Sequence, residues 1–193
     1  METNKVTLKG VIYFDPDDKT NKHKKLSSVR RTAMVLLDPR LKEGDKGISD
    51  YYAWFIANRY NLILNRPLRG AHVTIINDYG NRMNGNWDKV KAKWHKKEVD
   101  VTLFLDPRTD DRHWWLTVPE EDRELLHSIR TELGLGRPHW GLHMTIGYAN
   151  EKNIEHSKYI HRMLTQGPNS VNHLWLEKMI TSGVLKYDGK KFF

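Results

Sequence analysis

One segment of the chain occurs twice. Residues 66–75 read Arg-Pro-Leu-Arg-Gly-Ala-His-Val-Thr-Ile, and residues 137–146 read Arg-Pro-His-Trp-Gly-Leu-His-Met-Thr-Ile. Six of the ten positions are identical, at a constant offset of 71 and without a gap. The repeated core, His-x-Thr-Ile, has the apolar-polar alternation of a short half-buried strand. Side chains on a strand alternate between faces, so His72 and Thr74 point one way together, as do His143 and Thr145. A duplicated fold brings such equivalent strands together across a pseudo-twofold axis. The expected product is one cleft lined by two imidazoles and two hydroxyls.

The surroundings of the repeat predict an α+β fold. It is expected to be a single bilobal domain of two pseudo-symmetric antiparallel-sheet lobes with outer helices. Val35-Leu36-Leu37-Asp38-Pro39-Arg40 resembles Leu103-Phe104-Leu105-Asp106-Pro107-Arg108. Each reads as an apolar strand stopped where proline cannot continue a ladder. This extends the two copies to about 33–76 and 101–147. In the first copy Ser49 or Asp50 is placed to cap a helix through Tyr51, Phe55 and Leu62. In the second, Pro119 and Glu120-Glu121-Asp122 open a helix through Leu125, Leu126, Ile129 and Leu133. His113–Val118 reads as a strand inserted into the second copy. Further strands are expected at Val6–Phe14 and His173–Met179, with a hairpin at Asp188-Gly189. Helices are expected over Trp87–Lys97 and Glu151–Leu164.

Composition narrows the chemistry. The 193 residues contain no cysteine, which excludes disulfides, thiol catalysis and cysteine-bound zinc and fits a reducing cytosol. Residues 1–10 are polar, and no stretch approaches the roughly 18 apolar residues of a membrane span. A soluble, cytoplasmic protein with no membrane partner is the expectation, in the host cytoplasm if the source is viral. Lys and Arg number 32 against 24 Asp and Glu, a net charge of +8. Such a surface draws polyanions, and seven tryptophans and eight tyrosines supply faces on which bases can stack. A nucleotide or oligonucleotide partner is the reading these two features favour together.

Cleaving a phosphodiester without a metal or other cofactor requires a base, an acid and donors for the phosphate oxygens. Histidine serves in either proton-transfer role, because its ordinary pKa of about 6.5 leaves both forms accessible near neutrality. Each threonine hydroxyl can donate to a non-bridging oxygen and stabilise charge there. A single His-x-Thr carries little information; two inside a longer repeat carry much more. The competing explanation is that both histidines are structural residues kept from a duplicated ancestor.

Other residues admit two readings each. Arg66 and Arg137 recur before the motifs, as phosphate ligands or as parts of a repeated turn. Gly70 and Gly141 suit a tight approach or bulge before each strand. Trp140, Tyr148 and Tyr79 flank the motifs, as base-stacking faces or as core. Of the adjacent Trp114 and Trp115, one must face out of a strand. Glu177 would read a base edge or simply lie exposed. The basic stretch Lys89–Lys97 would contact a phosphate backbone or form a solvated surface. His139 lacks the helical His-Glu-x-x-His spacing of a metal site, and His113, His127, His156, His161 and His173 show no partner pattern.

With His72-Val73-Thr74 and His143-Met144-Thr145, each followed by isoleucine, the chain resembles the 2H phosphoesterase superfamily. That resemblance spans roughly Val6 to Met179, by pattern rather than identity outside the motifs. It implies a duplicated bilobal α+β fold and metal-independent cleavage of 2′,3′-cyclic phosphates, 2′–5′ oligoadenylates, RNA ends or cyclic oligonucleotide messengers. The spacing of the motifs and the compact size are also similar to the phage anti-CBASS phosphodiesterases, which destroy cyclic nucleotide signals of bacterial defence. An RNA-ligating or end-processing member, and a non-catalytic nucleotide-binding module, are the alternatives.

Overall fold

The computed structural model describes residues 5–16, 30–37, 47–67 and 69–166. The expected strand at 173–179, the hairpin at 188–189, Glu177 and His173 lie outside the described residues.

The chain is α+β, with seven antiparallel strands in one curled sheet that forms a half-barrel. In chain order the elements are β1 (Lys5–Phe14), β2 (Arg30–Leu37), α1 (Ile48–Tyr60), β3 (His72–Tyr79), α2 (Trp87–Trp94), β4 (Glu98–Phe104), β5 (Arg108–Thr109), β6 (His113–Thr117), α3 (Glu124–Glu132), β7 (His143–Tyr148) and α4 (Ile154–Gln166). In space the strands run β4-β1-β2-β3-β7-β6-β5. The edge strands β4 and β5 are joined by Leu105-Asp106-Pro107 alone. So short a link holds opposite edges near each other, and a flat sheet could not satisfy it.

The alternation of each strand separates two faces. Leu8, Ile12, Val35, Val73, Ile75, Val101, Trp114, Leu116 and Met144 are buried on one of them. All four helices share this face. Tyr52 and Phe55 of α1 join the core, Trp87 of α2 stacks edge-on against Phe14, Leu126 and Ile129 of α3 are buried, and Ser157 of α4 accepts the indole N–H of Trp114 at 3.1 Å. Burying Trp114 and Ser157 completely is tolerable because each satisfies the other. Helix α1 packs on β7 and α3 on β3, so each motif strand is backed by a helix from the opposite half of the sheet.

Several local expectations are revised. Helix α1 starts one residue before Ser49, with Gly47 as its N-cap; Asp50 acts from the first turn by accepting the Gly47 N–H at 3.0 Å. The acidic run 120–122 forms a separate 3-10 turn ahead of α3. Leu103 and Phe104 end β4, which pairs with β1. The strand beside β7 is instead β6, so His113–Val118 holds the place beside the second motif that β2 holds beside the first. The Asp-Pro likeness was a local pattern, and pairing between strands is not a local property. No helix among the described residues is long and apolar enough to cross a membrane.

Candidate functional site: two adjacent histidine strands

Strands β3 and β7 are neighbours, joined antiparallel at Val73 and Met144. Both of these side chains are fully buried on the helix side, which turns His72, Thr74, His143 and Thr145 to the opposite face. Antiparallel register sets His72 opposite Thr145 and Thr74 opposite His143. Each imidazole thus has the other motif's hydroxyl as its cross-strand neighbour. The histidines themselves lie on a diagonal, about 7–8 Å apart at the backbone. That is room for a tetrahedral anion between two rings.

The two imidazoles are held identically. His72 Nδ1 lies 2.9 Å from the carbonyl of Gly70, and His143 Nδ1 lies 2.7 Å from that of Gly141. A carbonyl only accepts, so Nδ1 carries the proton in both rings. In the neutral ring Nε2 then holds a lone pair; in the charged ring it holds a proton to give. Burial is the largest influence on both and pushes each pKa below the ordinary histidine range. The Gly70 and Gly141 carbonyls pull the other way. For His72 the charges of Arg69 and His143 depress the value further; for His143, His113 depresses it and Asp110 raises it. The charge of His143 also depresses the His72 value, as expected for imidazoles on neighbouring strands.

Backbone glycine chemistry places these rings. Gly70 has φ +66 and open space where a Cβ would stand, so its conformation and not crowding calls for glycine. Gly141 has no such conformation; its missing Cβ would lie 3.6 Å from the Arg123 guanidinium. Past each threonine the ladder slips by one residue. Met34 pairs with Thr74 but Ala33 with Ile76, and Trp115 pairs with Thr145 but Trp114 with Gly147. Ile75 and Ile146 are therefore the extra residues of two bulges, each directly after its motif, where a bulge re-aims a strand.

Register identifies further residues on the histidine face. Leu36 and Met34 stand beside His72 and Thr74, and Thr117 and Trp115 beside His143 and Thr145. The Trp115 ring lies 5.9 Å from that of His143. Arg108 is paired with Trp115, and His113 with Tyr148. His113 also engages Asp110, 3.2 Å from Nδ1 to Oδ1. His113, which shows no partner pattern in the sequence, shares this face with Trp115, the outward member of the tryptophan doublet. The Trp114-Trp115 doublet signalled that one ring faces outward, but only the register shows which.

The remaining candidates separate. Tyr148 and Tyr79 lie on the histidine face at the far ends of their strands, 37% and 46% exposed. Trp140 is exposed in the turn leading into β7. Arg66 is committed elsewhere: it donates to the Ser49 carbonyl at 2.8 Å and pairs with Asp50 at the start of α1. Arg137 donates to Glu120 at 2.8 Å and is largely exposed. Both arginines thus brace turns. Lys91 and Lys93 of α2 pair with Asp15 and Glu132 on the helix side, away from the histidines. Among the described residues no group of three or more His, Asp or Glu side chains is arranged to hold a metal ion.

Comparison with protein-family models, with curated proteins and with solved structures finds no match to this chain.

Proposed function

We propose that the chain is a 2H phosphodiesterase that cleaves ribonucleotide phosphodiester bonds without a metal, and that its substrates are cyclic oligonucleotide messengers, as in an anti-CBASS type of immune evasion. On this reading the two β-α-β units, β2-α1-β3 and β6-α3-β7, are duplicated copies forming the two lobes of the site. The carrying observation is the cross-strand square of His72, Thr145, Thr74 and His143, with both Nδ1 atoms tied to carbonyls.

The scissile phosphate lies between the two Nε2 atoms. One neutral imidazole takes the proton of the ribose 2′-hydroxyl. The 2′ oxygen attacks phosphorus, the bond from phosphorus to the 5′ oxygen breaks, and the other, protonated imidazole gives its proton to that leaving oxygen. The products are a 2′,3′-cyclic phosphate end and a 5′-hydroxyl. Thr74 and Thr145 donate to the non-bridging oxygens as charge builds on them. Trp115 offers a face for a base beside His143, with Tyr148 further along the strand.

An RNA-processing role, on 2′,3′-cyclic phosphates or 2′–5′ linkages, uses the same four residues. A turnover panel in EDTA separates the readings. It contains 2′,3′-cyclic AMP, a 2′–5′ oligoadenylate, linear 3′–5′ RNA and cyclic di- and trinucleotides. Preference for the cyclic oligonucleotides is the expected result. Preference for cyclic monophosphate or linear RNA moves the protein to RNA processing, and tight binding of the panel without cleavage makes it a binding module.

A further inference from the structure

We infer that Arg108 reads the edge of a guanine stacked on Trp115, so that the chain selects guanine over adenine in the nucleotide beside Thr145. The inference rests on the phosphodiesterase reading for where the phosphate lies, and it names the base next to that phosphate. It comes from one line of side chains across the sheet. Leu36 pairs with His72, Thr145 with Trp115, and Trp115 with Arg108. With His72 opposite Thr145 across the β3–β7 ladder, these five form a single row. Thr109 and Trp114, the chain neighbours of Arg108 and Trp115, pair with each other and are buried on the helix side. Alternation then turns Arg108 and Trp115 to the histidine face.

Arg108 lies on the last strand of the sheet and is exposed. Among the described residues no hydrogen bond, ion pair or ring contact holds its guanidinium. Asp110, the acid of the same hairpin, is taken up by the backbone N–H groups of Arg112 and His113 and by the His113 ring. Neighbouring strands are about 4.8 Å apart, so the Arg108 backbone lies roughly 10 Å from that of Thr145, with the indole of Trp115 between them. A base stacked on that indole covers the intervening strand and turns its far edge toward the guanidinium. A guanidinium only donates. Guanine presents two adjacent acceptors, O6 and N7, which the planar fork meets bidentately, whereas adenine sets an amino donor beside its N7. In the other half the equivalent places hold Met34 and Tyr13, and the Tyr13 ring stands edge-on to His95 with centroids 5.6 Å apart. The pairing of an indole with a guanidinium thus belongs to the Thr145 side.

The test is calorimetric binding of the full chain to dGpdG and to dApdA, which have no 2′-hydroxyl to attack. Wild type is expected to bind dGpdG at least about tenfold more tightly, the discrimination one bidentate pair provides. In Arg108→Met the two dissociation constants are expected to come within about twofold of each other, through weaker binding of dGpdG alone. Thermal melting of the variant should match wild type, because the side chain is exposed. Equal affinity of wild type for both dinucleotides overturns the inference, as does a preference that survives in Arg108→Met. Equal weakening of both in that variant also overturns it, because Arg108 would then hold a phosphate. A guanine preference in a chain that cleaves no RNA or cyclic oligonucleotide would overturn the phosphodiesterase reading and leave the base contact standing; cleavage without the preference would do the reverse.

Discussion

The two halves of the sheet agree in the backbone and differ in the side chains around it. In both, the histidine's Nδ1 is tied to a glycine carbonyl two residues earlier, and a bulge follows the threonine. In both, a backbone bond of 2.9 Å, Leu37 N–H to Ala71 O and Val118 N–H to Leu142 O, closes the ladder just before the motif. Around this frame, Met34 faces Thr74 where Trp115 faces Thr145, Leu36 faces His72 where Thr117 faces His143, and Arg69 stands where Trp140 stands. The features that aim the imidazoles are repeated, while those that would choose a ligand are not. If the two imidazoles transfer protons as proposed, a symmetric pair in an asymmetric setting would treat the two ends of a substrate differently.

The comparison is broken most directly at the repeated pair. His72→Ala and His143→Ala are each expected to lower kcat by about 10³-fold or more, with the double variant little worse, because the two act as one unit. Single-turnover kinetics read this. Near-normal turnover in either variant would leave a lone histidine to explain catalysis.

The halves also brace their turns differently. Tyr148 pairs with Asn65 by two backbone bonds in one. In the other, the buried Arg130 donates to the Gly136 carbonyl at 2.7 Å, to the Ile75 bulge carbonyl at 2.8 Å and to Asp78 at 3.2 Å. Arg130→Met strands these acceptors and should cost about 3 kcal/mol in urea unfolding. At the other brace, a Cβ on Gly147 would meet the Asn65 carbonyl at 2.7 Å and Leu64 Cβ at 2.8 Å. Gly147→Ala is expected to cost about 1–3 kcal/mol. A neutral outcome at either would mean that the brace is dispensable.

The unshared aromatic gives a smaller, functional effect. Trp115→Ala should raise KM for adenine oligonucleotides about tenfold, whereas Met34→Ala, its counterpart, should change KM about twofold or less. Equal effects would remove the asymmetry of the site. The smallest effect is on stability against pH. Both histidines have folded pKa values below the ordinary 6.5, so between those values the unfolded chain binds more protons. Their contribution is present in full above about pH 6.5 and is lost as pH falls toward the folded values. The melting temperature should decline from pH 7 to pH 5, and less steeply in His72→Asn.

Much of this site was legible in the sequence because the repeat is local. Two His-x-Thr-Ile strands with a glycine two residues before each histidine needed only alternation to place the four side chains on one face. The neighbours of those strands were not legible. Leu103-Phe104-Leu105-Asp106-Pro107 looks like β2 and its stop, yet β4 pairs with β1, since strand partners follow from long-range register. The place of Trp115 follows from the register that sets Thr117 beside His143 and Trp115 beside Thr145, which no local pattern in the sequence marks. Arg66 looked like a ligand because it repeats, but its partner at Asp50 becomes visible only once α1 folds beside it. Arg69 and Trp140 hold equivalent places in the two copies, and such interruptions of the repeat carry no local signal of what they do.

The most direct test of the central claim is to follow the Nε2 resonances of His72 and His143 by nitrogen NMR while adding dApdA, which has no 2′-hydroxyl to attack. Two rings facing one phosphate predict that both signals shift together with a single dissociation constant, that both pKa values rise on binding, and that Nδ1 stays protonated throughout. Movement of one ring without the other, or of neither at saturation, would contradict a shared phosphate site.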